Sequence, residues 1–178
     1  IFCIILFSFS CESTFVESKV KMVLTGSVHG QLDPCGWKKN PLGGLSRKYV
    51  AIKQMRDDGQ DPIVLDAGDM FFSTTSLNKN NLESEKHRCE TMLSGYEKIG
   101  CDGLNIGKYE LLGGLTYLKE LEKKHPKIPF ISANIRDKKT QDLIFNPYRI
   151  IKKENLSIGV IGVTNMVPDT MKSVIVDD

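Results

Sequence analysis

The stretch Pro62-Ile63-Val64-Leu65-Asp66-Ala67-Gly68-Asp69 is a short apolar run that passes without a spacer into an acidic turn. Three apolar residues, two of them β-branched, bounded by a Pro and a Gly turn have the punctuation of a short buried strand. The same pairing of strand and polar turn occurs on either side. Val20 to Thr25 is a short apolar-rich strand that ends in Gly26-Ser27-Val28-His29-Gly30, and Cys101 to Ile106 is a strand that ends in Gly107-Lys108-Tyr109-Glu110. In alternating α/β sheets chemistry gathers at the carboxyl ends of strands, so three polar blocks in this common position outweigh any one of them alone.

The intervening segments fit helices and a loop. Leu45 to Met55 carries Leu45, Tyr49, Ile52 and Met55 near helical spacing, and Leu82 to Ile99 presents Met92, Leu93, Tyr96 and Ile99 as an inner stripe. Phe71 to Asn81, rich in Ser, Thr and Asn, is expected to be a long loop over the strand ends. Leu111 to Leu121 is helical with a start loosened by Gly113-Gly114, and Pro129 to Ala133 is a further strand. Phe145 to Ile151 and Leu156 to Val163 are expected to pair antiparallel about Lys153-Glu154-Asn155. The expectation is one α/β domain from about residue 20 to 178, preceded by a polar linker at 12–19.

With 178 residues, 40% hydrophobic and 26% charged, the chain has the composition of an ordinary globular domain. A net charge of +2 with both signs interspersed argues against a nucleic-acid surface. The basic run Lys123 to Lys127 has the character of a solvated helix end, where cations are favoured. Residues 1–11 open on Ile-Phe-Cys-Ile-Ile-Leu-Phe-Ser-Phe, which is too short to span a bilayer and has the character of an export signal lacking its basic start. Cys11 after Ser10 is placed as a lipidated Cys would be, so the segment is either an ordinary secretory signal or a lipoprotein signal that anchors the chain to a membrane. Cys35, Cys89 and Cys101 remain, an odd number that leaves at least one thiol outside any intrachain disulfide.

Thr25-Gly26-Ser27-Val28-His29-Gly30, Asp66-Ala67-Gly68-Asp69 and Asn105-Ile106-Gly107-Lys108-Tyr109-Glu110 together resemble the first three blocks of the calcineurin-like metallophosphoesterases, specifically the periplasmic 5'-nucleotidase/UDP-sugar hydrolase branch. The resemblance covers about residues 20–167 and implies a metallophosphoesterase-type β-sandwich flanked by helices, incomplete at the C-terminus. It implies divalent metal ions such as zinc or manganese, and nucleotides or other phosphate esters as ligands. The family's blocks are Asp-x-His-Gly, Gly-Asp and Gly-Asn-His-Glu, which places metal ligands at Ser27, His29, Asp69 and Lys108 and the catalytic His at Tyr109. The family's remaining His ligands lie downstream of the stretch matched here.

Only His29 and Asp69 keep the residue type. Two cations about 3.5–4 Å apart need carboxylate and imidazole donors, which Ser and Lys do not replace. An ammonium at position 108 repels a cation, and the resulting expectation is a Lys108–Asp69 ion pair in place of the second metal, with a Lys108 turned to solvent as the plain alternative. A phenol, with an ordinary pKa of about 10, is a weaker general acid at neutral pH than the imidazole it replaces at Tyr109.

Gly43-Gly44, opening a helix, together with Lys108, is a candidate oxyanion site, although helix capping accounts for the glycines equally. The loop from His29 to Leu45 contains Cys35-Gly36-Trp37 and resembles a subgroup of nucleotidase-like lipoproteins, some of them selenoproteins, with Cys-Gly-Cys or Cys-Gly-Sec at this place. Cys35 near Lys38 and Lys39 is therefore a candidate redox thiol, with Trp37 either an ordinary loop residue or a Sec codon read as Trp. Three functions stay open: a phosphoester hydrolase with an altered metal site, a non-hydrolytic nucleotide or oxyanion binder, and a thiol or selenol redox protein.

Overall fold

The computed structural model describes residues 19–36, 42–167 and 171–177. The expected export signal, Cys11 and Trp37 lie outside these residues. The strands β1 (Met22–Thr25), β2 (Ile63–Asp66), β3 (Gly103–Asn105) and β4 (Phe130–Ile131) form one parallel sheet in the order β1-β2-β3-β4. Parallel neighbours need crossover connections. These are supplied by α1 (Leu45–Asp57), α2 (Leu82–Ile99) and the pair α3 (Lys108–Leu111) and α4 (Leu115–Lys124).

Register sets which side chains face the helices. Val23 pairs with Val64, and Thr25 pairs with Asp66, which in turn pairs with Leu104, so these five residues share one face. α2 covers that face with Cys89, Met92, Leu93, Tyr96 and Ile99, all fully buried. Each large apolar side chain so enclosed contributes roughly 1.5–3 kcal/mol. α1 and α2 pack closely at Gly95, where a Cβ would lie 2.4 Å from the Leu45 side chain. α2 stops at Gly100, whose left-handed backbone (φ 78) lets its N–H bond Tyr96 O at 2.9 Å.

The opposite face carries Leu24, Leu65, Gly103 and Ile131. With Val160 to Val163 these residues line a cavity of about 290 Å³, which sets the antiparallel hairpin β6 (Tyr148–Lys153) and β7 (Leu156–Ile161) against that face. The hairpin turns at Glu154 (φ 50) as the sequence leads one to expect.

The observed elements differ from expectation at three places. Lys108–Leu111 forms a short helix of its own, because the Glu110 side chain bonds the Gly107 N–H at 2.8 Å, and Gly114 (φ 87) then breaks the chain before α4. Two short strands, β5 (Ile135–Asp137) and β8 (Val174–Val176), pair antiparallel and are unexpected. On α1, Tyr49 is 40% exposed while the Lys48 side chain is only 15% exposed, so a lysine takes the inward position assigned to the tyrosine.

Candidate functional site

The three polar blocks converge as their positions after strands require. The Gly26–Gly30 loop runs beside Gly68 to Met70: Ser27 N–H donates to Gly68 O at 2.8 Å, His29 N–H to Asp69 O at 3.0 Å, and Gly30 N–H to Met70 O at 2.7 Å. The approach is close enough that Gly68 (φ 98) has no room for a side chain, since a Cβ would sit 2.7 Å from Asn105 O. Ser27 (φ 51), His29 (φ 46) and Asp69 (φ 56) all occupy the left-handed region. Non-glycine residues are strained there by about 1–3 kcal/mol each and persist where surrounding contacts hold them.

Glu110 is the main such contact. Its enclosed carboxylate accepts N–H groups from Asp69 and Gly107 through Oε2, both at 2.8 Å, and from Met70 at 2.6 Å and Phe71 at 3.3 Å through Oε1. Burial pushes its pKa up to about 7 against the opposing pull of these hydrogen bonds. The structure makes Glu110 the tie between the second and third blocks.

Asp69 Oδ1 accepts the Tyr109 N–H at 2.9 Å. The Tyr109 ring stacks at a tilt on His29, with centroids 4.3 Å apart, and His29 Nδ1 is buried without a hydrogen-bond partner. Lys108 does not form the expected pair with Asp69. Its ammonium lies 3.8 Å from Met166 Sδ, on a segment remote in sequence. Asp69, Asn105, Lys108, Thr164 and Met166 line a cleft of about 290 Å³. Gly43 and Gly44 line a different cavity with Ser27, Arg47 and Lys48, so the structure does not join them to Lys108 in one oxyanion site. Cys35 is exposed, whereas Cys89 and Cys101 are buried, and all three are free thiols.

A buried polar cluster behind the site went unnoticed in the sequence. Lys48 Nζ donates to Thr25 Oγ1 at 2.7 Å and to Tyr96 OH, and lies 3.6 Å from Asp66 Oδ2. Tyr96 OH and Thr25 Oγ1 each donate to Asp66 Oδ2 at 2.6 Å. Burial lowers the Lys48 pKa, opposed by the Asp66 charge, and raises that of Tyr96. The available signal was Lys48 three residues after Leu45, on the helix face toward Asp66.

No protein-family model matches the chain. Curated relatives do. The chain is 31% identical over 160 residues to Protein UshA of Escherichia coli strain K12 and 32% identical over 160 residues to a 5'-nucleotidase of Vibrio cholerae. In both alignments 86% of the chain is matched, and it spans 26% of the relative's length. A 5'-nucleotidase precursor from Thermus thermophilus superposes with a TM-score of 0.70 at 21% identity, over 89% of this chain and 32% of that one. The chain belongs to the 5'-nucleotidase branch of the calcineurin-like metallophosphoesterases. It matches the N-terminal part of these relatives.

Of the four positions at which the sequence resemblance places metal ligands, His29 and Asp69 bring an imidazole and a carboxylate, and the orphaned His29 Nδ1 is a free donor atom for a ligand. Ser27 and Lys108 bring a hydroxyl and an ammonium. Among the described residues no group of three or more His, Cys, Asp or Glu is placed to hold a metal ion. By themselves these residues do not fit a two-metal centre. Among the described residues, no helix is long and apolar enough to cross a membrane.

Proposed function

We propose that this member of the 5'-nucleotidase branch holds the phosphate of a nucleotide in the Asp69–Lys108 cleft and lacks the two-metal hydrolytic centre of its family. The supporting observation is the position of Lys108. Its ammonium lies at the rim of the cleft that contains Asp69, with a thioether rather than a carboxylate as neighbour, so its charge is available to an incoming anion. Tyr109, stacked on His29, offers a hydroxyl donor where the family uses an imidazole. Binding without turnover follows from charge retained and general acid–base chemistry lost.

The test is calorimetric titration of the purified protein with AMP in excess chelator, alongside phosphate release from AMP and UDP-glucose with added manganese, zinc or cobalt. The expected result is AMP binding that survives the chelator and is lost in Lys108→Ala, with turnover below about 0.01 s⁻¹, far under the usual enzyme range. Metal-dependent turnover within that range would refute the proposal and favour a working hydrolase.

Export through residues 1–11, with or without lipidation at Cys11, is part of the same proposal. It is tested by fractionating cells that express the full sequence and by labelling with palmitate. A redox role at Cys35 and position 37 is a second reading, supported by the exposure of Cys35 against the burial of the other two thiols. A UGG codon at position 37 eliminates its selenol form, and slow alkylation of Cys35 by iodoacetamide eliminates its thiol form.

A further inference from the structure

Beside the cleft, and sharing no lining residue with it, the end of β1 and the first two turns of α1 enclose a pocket of about 480 Å³. Its wall contains two cations, Arg47 and Lys48, with the polar side chains of Ser27 and Gln31 and, among the described residues, no carboxylate. The Arg47 guanidinium has no hydrogen-bond or ion-pair partner among the described residues. Lys48 is held rigid by Thr25, Tyr96 and Asp66, and that carboxylate, fully buried behind it, is the only negative charge set against the pair among the described residues.

The local backbone adds to the imbalance. α1 begins here with no side-chain cap and no acidic residue in its first turn. The positive end of a helix ordinarily attracts acids and disfavours cations by about 0.3–1 kcal/mol each. This one carries Arg47 and Lys48 in their place. Two cations and a helix terminus against one carboxylate leave net positive potential inside a concave, partly apolar space, which concentrates anions. Leu45, Ala51 and Met92 supply the apolar part of the wall, and the volume lies in the range of small-molecule sites.

We propose that this pocket binds the phosphate group of a small phosphorylated molecule. Arg47 supplies the forked N–H contacts and Lys48 a fixed charge. A doubly charged phosphate suits the net positive charge better than a singly charged carboxylate, and the guanidinium fork matches its oxygens. The assignment is independent of the function proposed for the cleft, because Lys108 and Asp69 take no part in it.

The experiment is a titration of ¹⁵N-labelled protein with inorganic phosphate in excess chelator, following the amides of Ser46, Arg47 and Ala51. Saturable shifts are expected in the wild type and in Lys108→Ala. They should weaken about tenfold or more in Arg47→Ala and in Ala51→Glu, which places an acid on an exposed helix position at the pocket wall. Acetate at matched ionic strength should bind about tenfold more weakly than phosphate. The proposal is overturned by an absence of saturable shifts at about 10 mM phosphate. It is equally overturned by shifts that persist in Arg47→Ala and Ala51→Glu, by their loss in Lys108→Ala, or by acetate binding as tightly as phosphate.

Discussion

Replacing Glu110 by Gln tests whether the tie between the second and third blocks is the buried carboxylate described above. Burial raises the Glu110 carboxyl from its ordinary 4.5 to about 7 in the folded protein. For an acid raised in this way the folded state binds the extra proton between the two values, so stability is greatest below 4.5 and falls as pH rises through 7. A difference of about 2.5 pH units at about 1.4 kcal/mol per unit gives about 3.5 kcal/mol in all, of which about 3 kcal/mol is lost between pH 4.5 and 8.

Glu110→Gln keeps the shape and removes the titration. The amide nitrogen also faces two of the four N–H donors that the carboxylate accepts, at about 1–3 kcal/mol each. That offset does not depend on pH. The informative quantity is therefore the change with pH in the stability difference between wild type and variant, measured by urea unfolding at intervals from pH 4.5 to 8. The difference should move by about 3 kcal/mol in favour of the variant as pH rises. A difference constant within about 0.5 kcal/mol would show that the Glu110 carboxyl is not enclosed as the structure has it.

Lys48→Met leaves Asp66 buried without its cation and should destabilise the protein by about 3–5 kcal/mol, with most of the loss recovered in the Lys48→Met, Asp66→Asn double variant; additive losses in urea unfolding would separate the two residues. Ser27→Asp with Lys108→Asn restores family donors beside His29 and Asp69 and should raise bound manganese or zinc after dialysis by about one equivalent, read by mass spectrometry. Unchanged metal content would show that these two positions do not govern binding. Gly68→Ala combines a φ of 98 with a Cβ 2.7 Å from Asn105 O and should cost about 2 kcal/mol or more. Wild-type stability in that variant would contradict the close packing of the second block on the third.

Much of the fold was legible because its signals are local. The strand runs before Ser27, Asp66 and Gly107 and the stripe of α2 are consecutive features, and the hairpin of β6 and β7 is a neighbour pairing. β5 and β8 were not legible, since each has three residues and Ile135 finds its partner Val176 across a long separation with no short-range cue. Nor was the inward turn of Lys48, because a lysine on an amphipathic helix is ordinarily a surface residue. Only the presence of Asp66, Thr25 and Tyr96 beneath it makes burial tolerable.

The sequence by itself determined the family, the placement of His29, Asp69 and Lys108 after strands, and the presence of Ser and Lys at two positions where the resemblance expects ligands. All of these are properties of residue identity and local order. The direction of the charges was decided only by tertiary structure. Lys108 lies against Met166 rather than Asp69, and Gly43 and Gly44 face Arg47 and Lys48 in a separate cavity. A long cationic side chain has many rotamers of similar energy, and what selects among them is which acid, thioether or cavity the rest of the fold places within reach.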